Sequence, residues 1–120
     1  MSLICDTRGG GRVETRELWI YRTPAGKSPF REWLYNLEWV TKKRVEAGLN
    51  RLRLGAQSDA RHIAGEVWEL RLHFGPGYRT YFGYWKDRIV LLLCGGDKGT
   101  QKKDLDKAKQ YWADFKERML

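Results

Sequence analysis

Residues 67–74 have the sequence VWELRLHF, in which apolar and polar side chains alternate with a period of two. Such alternation is typical of a β-strand with one face on the core. The apolar side, which we expect to face the core, consists of Trp68, Leu70, Leu72 and Phe74. A Gly-Pro-Gly turn at 75–77 follows, and residues 78–84 resume as a second strand. The sequence therefore predicts a β-hairpin.

A third strand is expected after a short turn at residues 85–87. Residues 89–94 (IVLLLC) form a continuous aliphatic run, and such runs are typical of strands buried on both faces. We therefore expect this strand to be the central one of the sheet.

Upstream of the hairpin, the sequence predicts a leader, a strand and two helices. Residues 1–15 contain three consecutive glycines and little apolar surface, so we expect a flexible leader, followed by a single domain over residues 16–120. Residues 17–22 (ELWIYR) are typical of a short strand. Ser28 is a suitable N-cap and Pro29 a suitable first residue for a helical hairpin that ends near Gly55.

The remaining segments complete the predicted architecture. Residues 57–65 are interpreted as a polar loop, and residues 100–120 carry apolar positions at a spacing typical of a terminal amphipathic helix. The order is strand, helix, helix, three strands and helix (β-α-α-β-β-β-α), which predicts an α+β fold with a mostly antiparallel four-stranded sheet.

Composition restricts the class of protein. The 120 residues include 23 Lys and Arg against 15 Asp and Glu, a formal net charge of +8. This balance favours a polyanionic partner such as nucleic acid, or an acidic protein. Two cysteines do not make a disulfide framework, and we find neither a signal sequence nor a membrane-spanning segment. We expect a protein of the bacterial cytoplasm that makes no membrane contact.

Polar side chains of the hairpin gather on one face. Glu69, Arg71 and His73 alternate along the first strand, and Arg79 joins them from the second. One interpretation is a solvated face with surface ion pairs. The other is a site in which an acid, an imidazole and two guanidinium groups converge.

The segment 95–100 (GGDKGT) leaves two interpretations open. Backbone N–H groups and Lys98 at the start of a helix can meet a phosphate, although the Walker A pattern is absent. Alternatively, the glycines form a simple turn with Thr100 as N-cap. No metal-ligand spacing is present, so we expect neither metal nor cofactor.

The sequence context also indicates roles for a buried cysteine and for side chains that could bind RNA. Cys94 lies inside the aliphatic run and is interpreted as a small buried hydrophobe rather than a nucleophile. Tyr81 and Trp85 are the candidates for stacking on RNA bases, and we assign RNA binding to Tyr81 together with Lys102 and Lys103.

Residues 68–82 (WELRLHFGPGYRTYF) and 92–104 (LLCGGDKGTQKKD) together resemble the RelE superfamily of bacterial toxins, and more narrowly its phage-derived, HigB-like branch of addiction-module killer proteins. The resemblance extends over about residues 18–112. It implies a compact microbial-ribonuclease-like fold and cleavage of messenger RNA in the ribosomal A site, under the control of a co-encoded antitoxin.

The resemblance also implies roles for individual residues. Arg71 and Arg79 match basic residues that contact the scissile phosphate, and Lys98 lies near another basic position of the family. Glu69 or His73 would accept a proton. Better-studied RelE proteins have a tyrosine shortly after this loop, whereas this chain has Lys102, Lys103 and Asp104, so the general base and acid stay unassigned.

The resulting expectation is a toxin that acts as a ribosome-dependent, metal-independent mRNA endoribonuclease. Its expected partners are mRNA, the ribosome and a cognate antitoxin, which we expect to be a helix-turn-helix DNA-binding protein. Two alternatives are a non-enzymatic inhibitor of DNA gyrase, as in the ParE toxins, and a basic nucleic-acid-binding protein without catalysis.

Overall fold

A computed structural model of the chain describes residues 15–56 and 59–120. It has a mixed α+β architecture built from one five-stranded sheet and three α-helices. In chain order the elements are β1 (Glu17–Ile20), α1 (Pro29–Tyr35), α2 (Trp39–Arg53), β2 (Ala60–Ala64), β3 (Val67–Leu72), β4 (Tyr78–Trp85), β5 (Ile89–Gly96), a 3₁₀ turn (Lys98–Thr100) and α3 (Gln101–Met119). Residues 1–14 of the expected leader lie outside the described residues.

The sheet has the strand order β1-β5-β4-β3-β2, with β1 parallel to β5 and the other pairs antiparallel. The hairpin of β3 and β4 is confirmed. The prediction that β5 is central is wrong, because β4 occupies the middle of the sheet. The strand β5 is nevertheless interior, since β1 covers its second edge.

The polar loop predicted over residues 57–65 is wrong over most of its described part, because Ala60–Ala64 forms the edge strand β2 against β3. Residues 57 and 58 lie outside the described residues. The expected four-stranded sheet therefore has five strands. Arg61 and His62 of β2 are exposed. An edge strand that buries few side chains carries little hydrophobic alternation, so its sequence has no clear strand signal.

The helices begin and end where local chemistry allows. The hydroxyl of Ser28 accepts a hydrogen bond from the backbone N–H of Arg31, at 3.3 Å, and Pro29 starts α1 as predicted. The helical hairpin of α1 and α2 ends close to Gly55 as predicted: α2 ends at Arg53, and the φ of +96° at Gly55 suits a residue without a side chain. The predicted terminal helix is confirmed as α3.

Two apolar layers enclose the sheet. Helices α1 and α2 pack on one face, where the buried residues are Phe30, Leu34, Val45, Leu49, Leu52, Leu70, Leu72, Phe82, Val90 and Leu92. Helix α3 packs on the other face, where they are Tyr21, Val67, Tyr81, Leu91, Leu93, Cys94, Ala108, Trp112 and Phe115. Since β5 contributes to both layers, the prediction of a strand buried on both faces is confirmed. No helix of the described segments is long and apolar enough to cross a membrane.

Two tryptophans lie flat against glycines of the sheet, one on each face. The ring of Trp112, from α3, occupies the space that a Cβ on Gly83 would take, and Trp33, from α1, does the same at Gly95. A strand position without a side chain thus lets each helix approach the sheet closely.

We expect Gly83→Ala to destabilise the fold by about 1–3 kcal/mol, because the added methyl group overlaps the Trp112 ring. Chemical denaturation monitored by tryptophan fluorescence measures this change. Gly99→Ala is the control: Gly99 is exposed, and its new Cβ would meet only the Asp97 carboxylate, at 3.2 Å. Equal stability of the two variants would contradict the proposed close packing.

Candidate functional site

The candidate site lies where β3 and β4 end beside the first turn of α3. Glu69 and Arg71 are on β3, and in the antiparallel register Arg79 of β4 lies directly opposite Arg71. All three belong to the face of the sheet that α3 covers, since Tyr81, two residues after Arg79, is part of the apolar layer under α3. Two like charges opposite each other are unfavourable unless an anion lies between them.

Glu69 supplies that anion. Its side chain is 0% exposed, and Arg71 Nε donates a hydrogen bond to Oε1 at 3.1 Å. Gln101 of α3 donates to Oε2 at 3.2 Å. The interpretation of this face as solvated surface ion pairs is therefore wrong for Glu69, because the start of α3 covers it.

Arg79 connects this carboxylate to the hairpin turn. Its Nε lies 3.2 Å from Glu69 Oε2 in an ion pair without hydrogen-bond geometry, and its Nη1 donates to the carbonyl of Gly77 at 2.9 Å. The Arg79 side chain is only 8% exposed. Its main geometric role is to hold Glu69 and the turn together, and it offers little surface to a substrate.

Arg71 and Lys98 form the accessible cationic part of the site. The Arg71 side chain is 34% exposed, although its Nε is fixed by Glu69. Lys98 is exposed in the 3₁₀ turn, and a Cβ placed on Gly77 would lie 3.7 Å from the Cβ of Lys98 and 3.3 Å from Arg79 Nη1. Lys98 therefore lies beside the same hairpin turn that Arg79 holds. Arg71 and Lys98 are thus the accessible cations of the site, whereas Glu69 and Arg79 are buried and paired with each other.

His73 is not paired with Glu69 and lies instead beside a different acid, Asp59. It follows the end of β3, its side chain is 65% exposed, and its Nε2 lies 3.3 Å from Asp59 Oδ1. The imidazole is thus the accessible one of the two predicted proton acceptors. Glu69 is fully buried, and both of its oxygens have cationic or amide neighbours.

The loop before α3 is held in a turn by the carboxylate of one of its own residues, Asp97. Asp97 accepts hydrogen bonds from the backbone N–H groups of Gly99 and Thr100, at 2.8 and 3.2 Å, and forms a capping box with Thr100. The structure therefore favours the simple turn over the phosphate-binding loop, because these donors already have a partner. Thr100 is the N-cap residue of α3 as expected, although its side chain makes no capping hydrogen bond there, and Asp97 caps the preceding 3₁₀ turn.

Tyr81 and Cys94 are enclosed beneath α3. Tyr81 is completely buried, and burial together with the nearby Glu69 charge raises the pKa of its phenol. This placement corrects the expectation that Tyr81 stacks on RNA, since no face of the ring is free. Burial also raises the pKa of the Cys94 thiol to about 12, so the prediction of a buried small side chain is confirmed.

Lys102 and Lys103 extend the positive surface onto the first turn of α3. Both are exposed, and they border an open depression. Its lining consists of Gly99, Thr100, Lys102, Lys103, Asp106 and Lys107. Sequence reasoning missed Gln101, the α3 residue that contacts Glu69, because no local pattern distinguishes it from other polar residues of the helix.

Two comparisons with known proteins each match about two thirds of the chain. The model of the family described as "Phage derived protein Gp49-like (DUF891)" matches residues 32–113, a range that includes every candidate site residue. A protein of Haemophilus influenzae, named only "Uncharacterized protein", is 40% identical over 81 residues. The aligned region covers 67% of this chain and 82% of that relative.

Proposed function

The chain belongs to the Gp49-like family of phage-derived proteins, and from this premise we propose that it is the toxin of a type II toxin–antitoxin system that inhibits translation by cutting messenger RNA. The proposal includes the finer assignment to the RelE superfamily and its HigB-like branch, with β2 as an added edge strand. One observation carries the chemistry: a fully buried carboxylate, Glu69, fixes the guanidinium of the accessible Arg71.

This arrangement suits phosphate chemistry. Attack of a ribose 2′-oxygen on the adjacent phosphate builds negative charge on the phosphoryl oxygens, and prearranged cations stabilise that charge. Within the described part of the chain the Arg71 side chain donates through Nε, to Glu69, and its two terminal nitrogens keep donors for a phosphate, so the group does not need to be ordered when substrate binds. Lys98 adds a second positive charge at the edge of the site.

The two proton transfers need accessible groups. The 2′-OH must lose a proton, and the departing 5′-oxygen must gain one. Of the two predicted acceptors we assign the first role to His73, which is exposed and paired with Asp59, and not to the buried Glu69. Glu69 then acts as a positioning residue for Arg71. The proposed reaction uses protein side chains and no cofactor.

Lys102 and Lys103 are proposed to hold the RNA backbone on either side of the cut. Both are exposed on α3 near Lys98 along the chain, and lysines neutralise phosphates without regard to base sequence. We propose that the ribosome presents the message and that a cognate antitoxin with a helix-turn-helix domain neutralises the toxin.

Primer extension on a defined message, in a reconstituted translation system with and without ribosomes, tests the proposal. We expect cuts that require both the protein and ribosomes. Intact message together with blocked growth would overturn the ribonuclease assignment, and a supercoiling assay would then test inhibition of DNA gyrase. RNA binding that weakens steeply with salt and never leads to cleavage would instead indicate a non-catalytic binder.

We expect His73→Ala to lower the cleavage rate about 100-fold, the effect typical of losing a positioned proton acceptor. The side chain is exposed, so the free energy of unfolding should hardly change. His62→Ala is the matched control, because His62 is also exposed, its Nε2 lies 2.6 Å from the Gly65 carbonyl, and its ring meets the Trp68 ring at a steep angle. Equal cleavage by His73→Ala and the wild type would remove His73 from the mechanism.

A further inference from the structure

The outer face of α2 combines apolar and basic side chains. Its inner face is buried through Val45, Gly48, Leu49 and Leu52. On the outer face, Val40 and Leu54 are 60% and 45% exposed, and Ala47 between them is also exposed. The three are seven positions apart, Val40 and Ala47 within α2 and Leu54 at its C-cap, so they follow roughly one line over about 21 Å.

Charge surrounds this aliphatic line. Helix α2 carries five cations (Lys42, Lys43, Arg44, Arg51 and Arg53), of which Lys43, Arg44 and Arg51 are exposed. Its one acidic residue, Glu46, lies 3.4 Å from Lys43 Nζ in a half-exposed ion pair. At the start of the helix, Lys42 lies over the ring of Tyr35 and Lys43 over that of Trp39, at 5.0 and 5.5 Å from the ring centroids. Both rings are more than half exposed.

We propose that this face binds an acidic amphipathic helix of a partner protein. A helix laid along α2 would cover Val40, Ala47 and Leu54 with its own apolar seam and place carboxylates beside Lys43 and Arg51. Two other occupants fit less well. Tyr35 and Trp39 lie only at the start of this face and each has a lysine over its ring, while the aliphatic groups beyond them have no role in stacking RNA bases. A second copy of this chain would place the exposed Lys43, Arg44 and Arg51 close to like charges.

The position of this face separates it from the candidate site. Helix α2 packs on the face of the sheet opposite to α3, whereas Glu69, Arg71 and Arg79 lie beneath α3. A partner helix on α2 therefore leaves Arg71 and Lys98 uncovered. The inference concerns binding alone and stands or falls independently of RNA cleavage.

A synthetic peptide of about three heptads tests the inference. It carries leucine once per heptad with glutamates on both sides, and a scrambled peptide of equal composition lacks the common leucine face. Fluorescence anisotropy with the full chain should show binding of the first peptide at least tenfold tighter than of the second. Absence of that difference would overturn the inference.

Variants of the chain locate the binding. We expect Val40→Ser with Leu54→Ser, and separately Lys43→Glu with Arg51→Glu, to weaken peptide binding at least tenfold. Lys27→Glu with Lys109→Glu applies the same charge change to exposed residues outside α2 and should weaken it less than about threefold. Thermal unfolding checks that each variant folds. Equal losses in all three pairs would indicate unspecific charge attraction and contradict the proposed face.

Two competing occupants are measured on the same variants. A uridine oligonucleotide that binds the wild type and is lost with Val40→Ser and Leu54→Ser would assign the face to RNA. A concentration-dependent dimer that dissociates in that variant would assign it to a second copy of the chain. Either result would overturn the proposal of an acidic helix.

Discussion

Arg71→Ala is expected to lower ribosome-dependent cleavage by about 100- to 1,000-fold, which is the typical cost of removing one prearranged donor from a developing anion. Arg71 is the guanidinium of the site that reaches solvent, and Glu69 fixes its orientation through Nε. The protein should remain folded, because Arg79 and Gln101 still lie against the buried carboxylate.

Primer extension under single-turnover conditions measures this effect. Arg71→Lys is informative beside it: a lysine keeps the charge and lacks the planar fork, so we expect an intermediate rate. Arg88→Ala, a loss of one exposed cation before β5, is the control and should cleave like the wild type. If Arg71→Ala cleaves as fast as Arg88→Ala, the site has been assigned to the wrong face of the sheet.

Local patterns were sufficient to predict most elements of this fold. The alternation in residues 67–74, the aliphatic run at 89–94 and the cap at Ser28 each describe interactions within a few residues of chain. The parallel pairing of β1 with β5 joins segments about 70 residues apart, and no local pattern encodes it. The placement of β4 rather than β5 in the middle of the sheet depends on that pairing together with the edge strand β2.

The period of two along a strand was enough to predict which side chains of the site share one face of the sheet. That period places Glu69 and Arg71 on one face, and the hairpin brings Arg79 opposite. Burial was not predictable, because an alternating strand leaves its polar face open unless a distant element covers it. Helix α3 covers Glu69 through Gln101, and it encloses Tyr81 in the same way. Tyr81, which the sequence suggested for stacking on RNA bases, is therefore part of the core.

Arg79→Met is expected to destabilise the protein by about 3 kcal/mol, the lower end of the cost of breaking a buried ion pair, because Arg71 and Gln101 still lie against Glu69. Methionine fills much of the space of the arginine stem, so the effect reports mainly on the ion pair with Glu69 and the bond to the Gly77 carbonyl. Cleavage should also fall, because Arg79 no longer holds the hairpin turn at Gly77, and Lys98 lies beside that turn.

The double variant Arg79→Met with Glu69→Gln separates these two effects. A neutral amide in place of the carboxylate removes the buried charge that has lost Arg79 as a partner, so more than half of the lost stability should return, as measured by urea unfolding in a double-mutant cycle. Cleavage should stay low, because Arg71 would then be held by an amide instead of a carboxylate. Recovery of cleavage together with stability would show that Glu69 and Arg79 serve only the fold. No recovery of stability would mean that the Gly77 bond, and not the buried charge pair, makes Arg79 necessary.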